Sequence, residues 1–128
     1  MSRQKVRPEE LAIAIIAELE NYQQEVTDAI KADVIETAEE CVKEIKMKAP
    51  VRTGKYKRGW KYKIEYESDT DIRVRVYNSS KPQITHLLEF GHASRNGGRV
   101  PGIQHIAPAE KNAVKKLEKK ARVTLQAK

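Results

Sequence analysis

The three histidines of this chain fall within twenty residues of one another, at His86, His92 and His105, with Glu89 between the first two. Imidazole nitrogens and a carboxylate are zinc donors, so His86-x-x-Glu89-x-x-His92 is the first place to look for metal chemistry. The spacing argues against it. Helical zinc hydrolases place two histidines four apart on one face; here they stand six apart, and Gly91 separates His92 from any helix carrying His86. The sequence favours a structural role, with His86 and Glu89 hydrogen-bonded to local backbone. Cys41 is the only cysteine, which excludes an internal disulfide and fits a reducing compartment. It lies beside Val42 in an apolar stripe, where a thiol packs as a small hydrophobe. No serine stands in an elbow motif, and Gly97-Gly98 lacks the strand before and the helix after that a phosphate loop requires. These patterns name no catalytic residue, no metal ligand and no cofactor.

Charge offers a second chemistry. The formal net charge is +7, yet from Met1 to Pro50 eleven acids face seven Lys or Arg, and the balance reverses afterwards. Arg52, Lys55, Lys57, Arg58, Lys61 and Lys63 form one basic run, interleaved with Tyr56, Trp60 and Tyr62; Lys111, Lys115, Lys116, Lys119, Lys120 and Arg122 form another. Aromatics among lysines suit single-stranded nucleic acid when bases can stack on them. Strand parity, developed below, assigns Trp60 and Tyr62 to a buried face, which leaves the lysines without a stacking platform. What remains is non-specific, salt-dependent attraction to phosphate, self-association of an acid-rich half with a base-rich half, or two solvated faces.

The elements that must position these residues follow from periodicity. A chain of 128 residues fits one domain. No stretch approaches the roughly 20 apolar residues of a membrane span, and Met1 to Glu10 has no signal-peptide apolar region, so the protein is expected to be made and used in the cytoplasm. Pro8 followed by Glu9 and Glu10 reads as a helix start. Apolar residues then recur by threes and fours from Leu11 through Ile15, Leu19, Tyr22, Val26, Ile30, Val34, Ala38, Val42 and Ile45. Such a helix would run about 60 Å, more than a domain this size covers, so it either breaks within Asn21 to Asp28 or packs on another subunit. Residues 1–49 are thus expected as a long N-terminal helix, broken or not, residues 56–107 as an antiparallel sheet with loops, and residues 108–126 as a C-terminal helix. The fold class expected is α+β: a long N-terminal helix and a C-terminal helix packed on a small antiparallel β-sheet.

Alternation places Trp60, Tyr62, Ile64 and Tyr66 on one face of a strand and Ile72, Val74 and Val76 on one face of the next, with Ser68-Asp69-Thr70 as the turn. Putting both apolar sets on one side requires Ile64 opposite Val74 and Tyr62 opposite Val76, because a one-residue slip buries Arg75. The same register sets Glu65 against Arg73, which is favourable, and Lys63 against Arg75, which is not. That conflict suggests an acidic partner on the outer face, unless both side chains splay into water. Ile84 to Phe90 is a short apolar helix or strand, Ser94 to Arg99 a polar glycine loop, and Val100 to Ile106 a candidate strand.

Four landmarks occur in an order that resembles a known family. Ala49-Pro50-Val51-Arg52-Thr53-Gly54-Lys55-Tyr56 after a long helix is similar to the entry motif of the tail-component family of long-tailed phages, named for gene product ten of a lambdoid phage. A strand hairpin, His86-Leu87-Leu88-Glu89-Phe90-Gly91-His92, the glycine loop Arg95 to Val100 and His105-Ile106-Ala107-Pro108-Ala109 complete the order over roughly residues 38–125. Pro50, Thr53, Gly54, Glu89, Gly91, His92, His105 and Pro108 are the positions that carry it. The resemblance implies a structural virion protein without catalytic activity or cofactor: a head–tail joining, neck or tail-completion subunit. Such subunits form rings, commonly hexameric, around the DNA channel, in contact with head-connector and tail proteins. It implies residence in the virion, assembly in the host cytoplasm and no membrane. A head-to-tail ring needs two complementary patches on one subunit; Glu36, Glu40 and Glu44 on the first helix, and Lys61, Lys63, Arg73 and Arg75 on the hairpin, are the candidates. The alternative is a non-specific DNA-binding accessory protein.

Overall fold

The computed structural model describes residues 11–19, 22–50 and 54–127. The first apolar run is not helical. Ile13–Glu18 forms strand β1, and helix α1 begins only at Gln24 and runs to Lys48. The stretch Leu11-Ala-Ile-Ala-Ile-Ile-Ala-Glu-Leu19 is apolar at helical and at strand spacing alike, and period cannot separate the two in so short a run. The β-branched Ile13 and Ile15 tip the balance by pairing with Val76 and Val74 on one face, while Ala14, Ile16 and Glu18 face out. The first part of the helix expected over residues 1–49, broken or not, is therefore corrected to a strand, and the helix itself begins at Gln24, within the stretch Asn21 to Asp28 expected to hold the break; the proposed Pro8 start lies outside the described residues.

Helix α1, at 25 residues, is about 37 Å long. It buries Val26, Ile30, Val34, Ala38, Cys41, Val42 and Ile45 in one stripe. Lys46 and Lys48 sit in the last turn, where cations favour the negative end of the dipole. Ala49, held extended before Pro50, ends the helix (ψ 144°). After the short helix α2 (Lys55–Arg58) come strands β2 (Trp60–Glu67) and β3 (Asp71–Asn78). Their turn is closed by the Ser68 hydroxyl, which accepts from the N–H groups of Thr70 and Asp71. The sheet order is β1-β3-β2, all antiparallel, so β3 is central and its Ile72, Val74 and Val76 are fully enclosed beneath α1.

The register of the hairpin holds as far as Tyr62 opposite Val76, Lys63 opposite Arg75 and Ile64 opposite Val74. It then departs from parity. A bulge between Ile64 and Tyr66 sets Tyr66, not Glu65, against Arg73. A bulge adds one residue to one strand and reverses the side-chain phase beyond it. Tyr66 is thereby turned away from the core, and Glu67 comes under α1, where Lys31 bonds it at 3.3 Å and also reaches the Ser68 carbonyl. The buried face expected for β2 is correspondingly shorter: Trp60 is enclosed and Tyr62 half-buried, but Ile64, on an edge strand, is 46% exposed.

Beyond a 3-10 turn (Pro82–Ile84) lie helix α3 (Thr85–Phe90), strands β4 (Gly91–Ala93) and β5 (Arg99–Pro101), and helix α4 (Ala107–Ala127). Strands β4 and β5 form a separate two-stranded arm. Helix α4 lies along α1 and closes the core with Ala109 and Ala113. The candidate strand Val100 to Ile106 reduces to the three residues of β5, because Pro101 lacks the N–H a ladder needs and Gly102 must pass close to Gly91.

Candidate functional site

Two of the side chains weighed for chemistry in the sequence, Glu89 and His105, meet in the interior, as a fastening. Glu89, in the last turn of α3, and His105, just before α4, are both buried. One carboxylate oxygen of Glu89 accepts the backbone N–H groups of His105 (2.8 Å) and Ile106 (2.9 Å); the other accepts that of Ala107 (2.9 Å). These are orphan donors of the first turn of α4, and the negative charge sits at the positive end of its dipole. Pro108 follows in that same turn, where a missing N–H costs nothing.

His105 carries the network onward. Its Nδ1 lies 2.7 Å from the Ile103 carbonyl, which only accepts, so the proton resides on Nδ1; Glu89 is a second acceptor at 3.1 Å. In the neutral ring Nε2 then accepts from the Tyr56 hydroxyl at 2.7 Å. Burial pushes the Tyr56 phenol well above its usual range; the Trp60 indole N–H nearby opposes the shift and the Glu89 charge adds to it. That indole nitrogen is enclosed and lies outside hydrogen-bond geometry with any described group. Tyr56, Trp60 and His105 meet edge to face with centroids 5.6–6.3 Å apart. The Tyr56 carbonyl accepts from Asn78 Nδ2 at 2.7 Å, and Asn78 Oδ1 accepts from the N–H groups of Ser80 and Lys81. One chain of contacts thus joins the end of β3, α2, α3 and the start of α4.

Close backbone passage makes this possible. Gly91 has φ +82°, and a Cβ there would lie 2.4 Å from the Val100 carbonyl; one at Gly102 would lie 2.4 Å from that of Glu89. Only glycines let the two segments cross close enough for Glu89 to reach the turn beyond.

The three histidines separate accordingly. His86 packs at a tilt against Phe90, with ring centroids 5.1 Å apart, and His92 is exposed, with Nδ1 3.1 Å from the Ala93 carbonyl. Among the described residues no group of three or more His, Cys, Asp or Glu could hold a metal. The expectation that Glu89 bonds local backbone is corrected: its partners are sixteen to eighteen residues away. Of the other family-motif positions, Gly54 precedes α2 in the left-handed conformation (φ 80°) and Pro50 is half-buried after α1, while Thr53 lies outside the described residues. Cys41 is enclosed, and burial pushes its thiol up to about 12.

The charged candidates also bond within the chain. Lys120 of α4 reaches Glu36 (2.9 Å) and Glu40, Lys116 reaches Glu40 (3.4 Å), and Asn112 donates to Glu44 (2.7 Å), which Lys48 also contacts. The Lys120 contact holds the Glu40 carboxyl below its ordinary range. Burial raises that of Glu44, but bonds from Lys48 and Asn112 outweigh it and the net shift is downward. On the outer sheet face Glu65, displaced by the bulge, bonds Arg75 (2.7 Å) and approaches Arg73 (3.8 Å). The Lys63 ammonium lies 5.1 Å from the Tyr77 ring centroid. The like-charge conflict read from parity is thus relieved inside the subunit. Lys61 and Lys63 remain exposed.

Two apolar features are left uncovered. A groove of about 960 Å³ runs between β1 and α4, and the arm with its base exposes Leu87, Phe90, Val100 and Ile103.

The sequence model of a family described as "Bacteriophage HK97-gp10, putative tail-component" matches residues 13–91. No curated protein and no solved structure matches the chain.

Proposed function

Because this chain belongs to the HK97-gp10-like family of bacteriophage tail components, we propose that it is a non-enzymatic part of the virion at the head–tail junction or tail end. Copies of it form a ring around the DNA channel and contact head-connector and tail proteins. The family match carries this reading: residues 13–91 run from β1 through α1 and the β2–β3 hairpin to Glu89 and Gly91, the framework of the fastening.

Physical features support it. Glu89 and His105, the side chains best suited to acid–base work, are enclosed and engaged in holding α4, so they serve rigidity. The subunit leaves large apolar side chains exposed on the groove and the arm, and exposed apolar patches mark interaction sites. A closed ring requires two unlike surfaces on each copy, which the groove and the arm supply. Contact with channel DNA is a weaker, phosphate-directed component through Lys61 and Lys63, while Glu65 holds Arg73 and Arg75.

Disruption of the gene in its phage tests the proposal. The expected particles are filled heads and separate tails, joined again when purified protein is supplied. Normal infectious particles would overturn it. Tight duplex binding at physiological salt by a monomer or dimer would favour the DNA-binding accessory role instead.

A further inference from the structure

The exposed large apolar side chains fall mainly into two groups. Ile16, Tyr22, Val114 and Leu125 line the groove between β1 and α4. Leu87, Phe90, Val100 and Ile103 lie on the β4–β5 arm and its base, and no residue of 85–106 lines the groove. One surface is concave and the other projects. We propose that the arm of one copy seats in the β1–α4 groove of the next, as the repeated head-to-tail contact of the ring; this rests on the ring reading above.

Three observations fit the two halves together. The charges are complementary: the groove carries Glu18, Glu110 and Glu118 against Lys111 and Lys115, a net of −1, whereas residues 91–103 carry Arg95 and Arg99 and no acid. Such complementarity fixes orientation and suppresses wrong pairings. The arm is short enough to fit, since six residues of strand give β1 about 20 Å and the three of β4 about 10 Å before the turn at Arg95 and Asn96. Among the described residues the edge is also open. β1 ends the sheet, and Leu19 donates to the Thr70 carbonyl. By antiparallel alternation the N–H and C=O groups of Ala14, Ile16 and Glu18 therefore face away from β3, where an extended segment can pair with them.

The mass of the full-length protein across a concentration series, by sedimentation or native mass spectrometry, is the test. Ile103→Asp alters the arm and Val114→Asp the groove; both side chains are 53% exposed, so neither change enters the core, and circular dichroism checks each fold. The wild type is expected to form multimers and each variant alone to lose every species above monomer. An equimolar mixture should give a dimer and nothing larger, because the intact arm of one variant meets the intact groove of the other while the reverse contact is absent. Wild-type multimers that survive both substitutions would overturn the contact and leave the ring reading standing. A mixture that stays monomeric would show that the two surfaces are not halves of one contact. A wild type that is monomeric throughout would remove the ring reading and this contact together.

Discussion

Replacing Glu89 tests whether the buried carboxylate is a fastening. In Glu89→Ala three main-chain donors, the buried ones of His105 and Ile106 and the part-buried one of Ala107, lose their acceptor, and His105 loses a facing charge. A buried donor left without a partner costs about 1–3 kcal/mol, and removing one member of a buried charged network about 3–5 kcal/mol. Local relaxation and water entry keep the sum nearer the second figure. Against a domain stability of about 5–15 kcal/mol this is a large loss, and at roughly 4 °C per kcal/mol it lowers the melting temperature by about 12–20 °C. Glu89→Gln keeps one carbonyl oxygen, enough for the two donors that share Oε1, but opposes the Ala107 N–H with an amide NH2; its cost is about 1–3 kcal/mol. Differential scanning calorimetry gives the melting temperatures, and amide exchange localises the effect, with the first turn of α4 losing protection before β3. An alanine variant melting within about 3 °C of wild type, or a glutamine variant less stable than the alanine one, would refute the reasoning.

Tyr56→Phe removes the hydroxyl that donates to His105 Nε2 and should cost about 1–2 kcal/mol by thermal denaturation; a neutral result would mean that another donor serves the ring. The Cys41 thiol, raised by burial to about 12 and enclosed, should react with a thiol reagent only as fast as the protein unfolds; immediate stoichiometric labelling of folded protein would contradict its placement. Glu40 and Glu44 have folded carboxyl pKa values below their unfolded ones, so their contribution is present above the ordinary glutamate range, about 4.3, and is lost as the pH falls through and below it. Urea denaturation at pH 7 and pH 3.5 should therefore show lower stability in acid, and replacing Lys120 by Met, which removes a partner of Glu40, should narrow that difference.

How much of this was legible depended on whether the signal was local. The hairpin register to Ile64 follows from alternation and the turn at Ser68-Asp69-Thr70, because a one-residue slip buries Arg75. The bulge at Glu65 leaves no local mark: the contact it permits, Glu67 with Lys31 on α1, is tertiary and lies beyond what alternation can show. β1 was hidden for a different reason, since an apolar run with isoleucines in both phases satisfies helix and strand equally, and only β3 decides. The capping role of Glu89 had a readable trace. Gln104-His105-Ile106, just ahead of α4, contains no Ser, Thr, Asp or Asn to cap it, so the orphan donors needed an acceptor from elsewhere in the chain, and a buried acid was the candidate to seek.

In the proposed ring, copies of the chain must recognise one another. An acid-rich first half and a base-rich second half suggest complementary faces on neighbouring subunits, but α1 and α4 lie side by side, and Glu36, Glu40 and Glu44 meet Lys120, Lys116 and Asn112 of their own chain. Likewise Glu65 is close to both Arg73 and Arg75. Much of the opposite charge that sequence distributes along the chain is thus used in folding it, and such partly exposed pairs contribute modestly, within about 1 kcal/mol each. In the proposed ring, specificity between copies falls to surfaces that folding leaves open: an apolar groove with a small acidic excess and an apolar arm with a basic one. On that division, reversing Glu40 loosens α4 on α1 and changes assembly only through the shape of the groove wall that α4 provides.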